Sequence, residues 1–327
     1  MSRDIAAMLE VLRGVLPGGE GITGIVPLTT GFSNDTYLIE GADLILRLPP
    51  SAGAMLDGHD VIGQARIYRE LGQVAGGPKV PAIAFVCEDS SLLGAPFFAM
   101  ERVPGEAIHD TNLQPWFTDG SDAERGEYCR QWASAFAGLA RLDPLPFLGA
   151  SVSPEDDARM WQAFGKAADC PELVELFDRL LAVPAPRSGA PGIVHGDPKL
   201  SNLMWHDGRI SAMLDWEMAL NGEPLADLGY MLYGFESEYH GDTTPQRQPG
   251  MLTRDEVIAL WTQVSERSAE GVHWHEIAQI GKIGAIIAEG TNMYVTGRST
   301  DPKLAYFMKN RDYYLGVMRA MLDGGGF

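Results

Sequence analysis

Ile5, Met8, Leu9, Leu12 and Val15 recur at helical spacing ahead of Pro17-Gly18-Gly19, and predict a short amphipathic helix at the start of the chain. From Ile22 the pattern shortens. Ile22 to Leu28, Thr36 to Ile39 and Leu44 to Leu48 read as three strands separated by turn residues, an antiparallel meander. A helical period returns over Val61 to Leu71, and Ile83 to Val86 and Pro96 to Met100 then read as two further strands. Val103-Pro104-Gly105 supplies turn chemistry. We therefore expect a first lobe of residues 1–103, a hinge over 101–105, and a second lobe of residues 104–327.

Past the hinge the pattern is mostly helical. Ser121 and Glu124 form a capping-box signature ahead of Trp132, Phe136, Leu139 and Leu142 on one face, and a second helix is expected over Pro171 to Val183. The Pro/Gly-rich stretch from Val183 to Gly192 reads as a loop. Leu203 to Trp205 and Ile210 to Leu214 read as strands flanking the turn His206-Asp207-Gly208. Three more helices are expected near Arg254 to Ser268, Trp274 to Glu289 and Lys303 to Met321, with no internal repeat. The expected fold class is α+β and bilobal, with a five-stranded antiparallel N-terminal sheet and helix and a larger, mostly helical second lobe.

Composition changes this picture little but excludes several functions. With 327 residues, 45% apolar and 21% charged, the chain can bury a sizeable core in two units. A net charge of −19 without a Lys/Arg cluster argues against a nucleic-acid partner. Cys87, Cys129 and Cys170 lie far apart, so neither a zinc site nor a disulfide framework is expected. No apolar run reaches the ~18 residues of a membrane span. The expectation is a cytoplasmic protein with no membrane partner.

The polar residues crowd in one place. Val194-His195-Gly196-Asp197-Pro198-Lys199-Leu200-Ser201-Asn202 sets His, Asp and Asn at the spacing of a kinase catalytic loop, and Asp215 follows at the end of an expected strand. Phosphoryl transfer needs a carboxylate beside the attacking hydroxyl and hard oxygen ligands that fix Mg²⁺ against the phosphates. Asp197 fits the first role, and Asn202 and Asp215 fit the second. Lys199 is placed to neutralise charge on the γ-phosphate. His195 reads as loop support, since Asp197 already fills the position facing the acceptor.

These residues, with Leu214-Asp215-Trp216-Glu217 and Pro224-Leu225-Ala226-Asp227-Leu228-Gly229-Tyr230, resemble the aminoglycoside phosphotransferase and choline kinase superfamily. Within it the nearest likeness is to the kinase-like domains fused to some acyl-CoA dehydrogenases. Gly31 to Tyr37, Leu44-Ile45-Leu46-Arg47 and Pro96 to Glu101 fall in the family's order, so the likeness covers most of the chain. It implies a protein-kinase-like fold that moves the γ-phosphoryl group of ATP or GTP, with Mg²⁺, onto a small-molecule hydroxyl. It further implies that Gly31, Ser33 and Asn34 cover the phosphates, that Arg47 contacts them, and that backbone groups of Glu101 and Val103 meet the base beside Met100. Asp227 would brace the catalytic loop. Glu217 stands where protein kinases have Gly, and an acid there is common in this superfamily.

Two positions depart from the pattern. Arg47 stands where a phosphate-binding Lys is usual, and Gln64 where Glu would pair with it. Arg is not a neutral replacement for Lys, and Gln forms no ion pair, which leaves Glu70 as another acid for Arg47. A different class of function follows as the alternative: a nucleotide-binding or scaffold protein that kept the fold and lost efficient transfer. Trp132, Trp161 and Trp261 read as packing residues. His273-Trp274-His275 reads as a helix start with solvated imidazoles and no transition metal, and Asp119, Asp122, Glu124 and Glu127 as a solvated helix start. The stretch from Tyr233 to Gln248 reads as a border of the acceptor site or a surface loop.

Overall fold

The structure, a computed structural model, describes residues 3–28, 34–50, 60–108, 113–233, 248–299 and 304–325. The chain divides into two compact units, one of Met1–Val103 with Met293–Leu304 and one of Pro104–Asn292 with Ala305–Phe327. Among the described residues no helix is long and apolar enough to cross a membrane.

The first unit opens with α1 (Ile5–Val15), whose first turn is capped by Asp4 accepting from the Ala6 and Ala7 N–H groups. There follow β1 (Gly24–Leu28), β2 (Asp35–Glu40), β3 (Leu44–Leu48), α2 (Val61–Leu71), β4 (Ile83–Cys87), the one-turn α3 (Ser90–Leu93) and β5 (Phe97–Glu101). The strands form an antiparallel sheet of order β1-β2-β3-β5-β4. The last two are exchanged relative to chain order, and burial explains it. Phe97, Phe98, Ala99 and Met100 are all buried, so β5 needs cover on both faces and a neighbour on each side, whereas β4 tolerates the edge.

Leu44, Leu46, Leu48, Ile39, Phe97 and Ala99 pack with Met8 and Leu12 of α1 into one core. Burial of a side chain such as Leu12 contributes roughly 1.5–3 kcal/mol. Period-2 alternation sends Ile45, Arg47, Phe98 and Met100 to the opposite face. There α2 supplies cover, the Tyr68 ring lying 6.3 Å from that of Phe98.

The second unit runs through β6 (Glu106–Ala107), α4 (Pro115–Thr118), α5 (Asp122–Leu139), α6 (Pro154–Ala167), α7 (Pro171–Leu181), β7 (Gly192–Val194), β8 (Leu203–His206), β9 (Arg209–Met213), β10 (Leu220–Gly222), α8 (Leu225–Tyr233), α9 (Arg254–Ser265) and all but the ends nearest residues 293–304 of α10 (Val272–Val295) and α11 (Leu304–Gly324). The capping box expected at Ser121 and Glu124 is present, and Thr253 and Glu256 form another on α9. The sequence pattern missed α6, although it carries a clear start signal: Ser153 caps the Asp156 N–H, Pro154 opens the helix, and Glu155, Asp156 and Asp157 crowd the first turn. It also missed α8, where Gly229 is required by a close approach. A Cβ there would stand 2.7 Å from the Glu276 nitrogen of α10.

Two small antiparallel sheets position the polar loop. β7 pairs with β10, and β8 pairs with both β6 and β9. Residues 195–202 thus leave β7 and enter β8, while residues 214–219 leave β9 and enter β10. Both loops are pinned at each end by strand pairing.

Candidate active site

The loop after β7 is held by buried hydrogen bonds from four elements. Asp227 on α8 accepts the His195 N–H at 2.7 Å and the Gly196 N–H at 2.9 Å. The His195 ring is fully buried; its Nε2 lies 2.8 Å from the Leu214 carbonyl, and its Nδ1 accepts the Asp197 N–H at 3.2 Å. That pair of contacts requires the proton on Nε2, and burial pushes the imidazole pKa down, so the ring is neutral. Phe136 and Trp216 pack against it at 5.2 and 4.6 Å between ring centroids. The Trp132 indole on α5 donates to the Pro198 carbonyl at 2.8 Å, so a residue read from the sequence as packing alone also anchors the loop. Lys282 on α10 donates to the Gly196 carbonyl.

Gly196 has a φ of +85°, and a Cβ there would stand 2.6 Å from the Met218 carbonyl oxygen. Only glycine meets both conditions without strain. The sharp reversal turns Asp197 away from the buried His195, leaving its side chain 16% exposed.

Asp197 is densely solvated by protein. Lys199 Nζ lies 3.0 Å from Oδ1, Asn202 Nδ2 donates to Oδ2 at 2.8 Å, and the Tyr230 hydroxyl of α8 bonds the same carboxylate. Burial pushes its pKa up, but Lys199, Tyr230 and Asn202 outweigh burial and hold it at about 2. The group is a carboxylate throughout the neutral range.

Asn202 Nδ2 also donates to the Asp197 carbonyl at 2.7 Å, which leaves Oδ1 as the side-chain atom suited to a cation. The Leu214 N–H donates to the Asn202 carbonyl at 2.8 Å and brings the next residue, Asp215, to the same end of β8 and β9. Asp215 is left-handed, at φ 63° and ψ 55°. Such a conformation costs most L-residues roughly 1–2 kcal/mol, and Asp is among those that adopt it most readily. Glu217 follows it in a single 3-10 turn, Trp216–Met218. Among the described residues no group of three or more His, Cys, Asp or Glu is placed to hold a metal. Two hard oxygen donors, Asn202 Oδ1 and Asp215, suit Mg²⁺ completed by phosphate and water oxygens.

In the first unit, Asn34, Arg47, Gln64 and Met100 are all buried. Asn34 Nδ2 donates to Gln64 Oε1 at 3.3 Å. Glu101 is exposed and its N–H donates to the Ala82 carbonyl at 2.9 Å; Val103 is half-buried. Gly31 and Ser33 lie outside the described residues, as does most of the stretch from Tyr233 to Gln248.

One expectation is corrected. His275 is not solvated: it is 1% exposed, its Nε2 lies 2.9 Å from the Pro186 carbonyl, and burial lowers its pKa to about 4. Its neighbour His273 is half-buried, with Nδ1 3.5 Å from Glu276, which also carries the bidentate Arg254 pair. The packing of α8 onto α10 at Gly229 buries this segment, which helical spacing around a single Trp did not reveal.

Comparison with known proteins bears on the family and the fold. The family described as the phosphotransferase enzyme family matches residues 24–260. Acyl-CoA dehydrogenase family member 10 of Mus musculus is 31% identical over 236 residues, covering 68% of this chain and 22% of that protein. A probable acyl-CoA dehydrogenase of Arabidopsis thaliana is 26% identical, covering 75% of this chain and 33% of its own length. The chain therefore spans about a fifth to a third of these relatives. Among solved structures, a Ralstonia eutropha protein provisionally assigned as an aminoglycoside phosphotransferase superposes with a TM-score of 0.76 at 22% identity, covering 100% of both chains. A macrolide 2'-phosphotransferase of Brachybacterium faecium gives 0.61 at 18%, covering 95% and 97%. A thermostable mutant of an aminoglycoside phosphotransferase, in complex with ADP and hygromycin B, gives 0.57 at 15%, covering 94% and 95%. At these identities the likeness establishes the fold.

Proposed function

The chain belongs to the phosphotransferase enzyme family, and on that premise we propose that it moves the γ-phosphoryl group of ATP or GTP onto a hydroxyl of a small molecule. The observation that carries the reading is the Asn202 amide, whose Nδ2 clasps both the carbonyl and the carboxylate of Asp197, while the Asn202 backbone carbonyl accepts the N–H of Leu214 beside Asp215. Three residues separated by up to 18 positions are thereby drawn to one patch of the second unit.

In this reading Asp197 accepts the hydrogen bond of the acceptor hydroxyl and aims its oxygen in line. A carboxylate with a pKa near 2 is a weak proton acceptor in the ground state. Its contribution is therefore orientation, which suits a loose transition state in which the proton leaves late. Lys199, 39% exposed, would exchange its contact with Asp197 for an oxygen of the transferring group. Asn202 and Asp215 would hold Mg²⁺, which supplies charge neutralisation on the phosphates when bound. Asn34, Arg47 and Met100 of the first unit, with the backbone of Glu101 and Val103 and the segment of Gly31 and Ser33, would supply nucleotide-binding groups. The Glu101 N–H is taken by the Ala82 carbonyl, so in this reading that residue would meet a base through its own carbonyl. Nucleotide use is supported by the ADP complex among the fold relatives.

Binding tests the reading first. Mg²⁺-ATP should raise the unfolding temperature of the wild-type chain, and Asn202→Ala or Asp215→Ala should remove most of the Mg²⁺-dependent part of that rise. A wild-type chain indifferent to Mg²⁺-ATP would sink the proposal. The Asn34–Gln64 hydrogen bond favours a second reading, because a neutral amide now occupies the position of the usual acid. Stabilisation by Mg²⁺-ATP without turnover across a broad panel of alcohols, sugars and amino-alcohols would select that reading, a nucleotide-binding scaffold.

A further inference from the structure

Lys282 has no part in the chemistry above, yet it is 4% exposed in the middle of α10. Its neighbours along the helix, Ile280, Ala285 and Ile287, are buried apolar residues, and a Leu or Met at this position would avoid the desolvation of an ammonium. Its head group lies 5.4 Å from the Trp161 ring centroid and 5.7 Å from that of Tyr230, and donates to the Gly196 carbonyl. Burial pushes the Lys282 pKa down; Asp157 on α6, which accepts the Trp161 indole N–H at 3.2 Å, opposes that shift more than Asp197 or Asp227 does.

The consequence lies in what Gly196 does. Its N–H is fixed by Asp227 and its carbonyl by Lys282, so the peptide planes on both sides of its left-handed Cα are clamped. The second of those planes carries Asp197. Tyr230 completes the arrangement. Its hydroxyl bonds the Asp197 carboxylate while its ring lies near the ammonium groups of both Lys199, at 5.9 Å, and Lys282. Cation–π contacts of this kind favour a fixed ring position.

We propose that Lys282 is a positioning residue for phosphoryl transfer: bonded to the Gly196 carbonyl and set against the Trp161 and Tyr230 rings, it locks the Gly196–Asp197 peptide and the Tyr230 ring, and so fixes the direction in which the Asp197 carboxylate points. The inference rests on the phosphotransferase reading for its function, but its structural half can be tested separately. The test is Lys282→Met, similar in volume and better suited to a buried site, followed by amide hydrogen exchange and by Mg²⁺-ATP hydrolysis with water as acceptor.

The expected result is faster exchange confined to residues 195–202, with α6 and α10 as protected as in the wild type. The kcat for hydrolysis should fall about 10- to 100-fold, the scale of a displacement near 1 Å at the reacting centre, with KM for ATP unchanged. Asp157→Asn, which leaves the apolar packing in place, should give the same signature in milder form and serves if the Met variant fails to fold. Loop exchange and kcat at wild-type values overturn the proposal. So does exchange that rises equally across α6 and α10, which would make Lys282 an element of general packing. Faster loop exchange together with a wild-type chain that hydrolyses and transfers nothing leaves Lys282 anchoring the loop and overturns the phosphotransferase reading instead.

Discussion

Replacing Asp227 by Asn changes one atom and should disturb the catalytic loop more than many larger substitutions. The wild-type carboxylate accepts two buried N–H groups, from His195 at 2.7 Å and Gly196 at 2.9 Å, one on each oxygen. An amide can accept only one of them. The other N–H would face an NH₂ group, donor against donor, in a site with Asp227 2% exposed. Hydrogen bonds to a charged acceptor are worth roughly 1.5–3 kcal/mol, and a buried donor left unsatisfied costs roughly 1–3 kcal/mol. Loss of one bond and weakening of the other sum to about 3 kcal/mol, partly offset because a buried charge is removed.

In a unit of this size about 3 kcal/mol corresponds to a fall in Tm of roughly 6–12 °C. Differential scanning calorimetry at pH 7 gives that number. Hydrogen exchange on the same variant should show the loss concentrated at residues 195–197. An Asn variant with the wild-type Tm, or with exchange altered elsewhere and unaltered in this loop, would refute the view that Asp227 holds the loop through its two oxygens.

Gly196→Ala forces an L-residue into φ +85° with its Cβ 2.6 Å from the Met218 carbonyl, and should destabilise by about 2 kcal/mol or more in denaturant titration. A near-neutral effect would contradict the loop geometry. The buried His275 should make the fold acid-labile. The unfolded imidazole takes its proton near the ordinary 6.5 and the folded one only at about 4, so the unfolded state binds more protons between these values and stability falls as pH drops from 7 to 4. The loss from this group is about 3 kcal/mol, and His275→Gln should be spared that much of the decline in urea titrations at the two pH values.

Much of the first unit was legible because its signals are local. α2 spans Val61–Leu71, β3 spans Leu44–Leu48, and the β-strand period passes directly into the five-stranded sheet. The Ser121 capping box is likewise a feature of four adjacent residues. The Asp197-to-Asn202 spacing marked the candidate loop for the same reason. What holds that loop was not legible. Trp132 and Lys282 reach it from 66 and 86 positions away, and in sequence one resembles a core aromatic and the other an ordinary solvated lysine. Periodicity reports which face of a helix is apolar. It does not report that a polar atom on that face meets a carbonyl of a distant turn. The burial of His275 escaped for the same reason, since it depends on α8 and α10 approaching at Gly229.

Transfer itself decides the central claim. The wild-type chain, with Mg²⁺ and ATP labelled at the γ-phosphoryl group, should pass label to at least one compound in a broad panel of small hydroxylated acceptors. Asp197→Asn, which keeps the size of the side chain but not its charge, should lower that transfer by about 10²- to 10⁴-fold while still binding Mg²⁺-ATP. Label transferred equally well by the Asn variant would contradict the account.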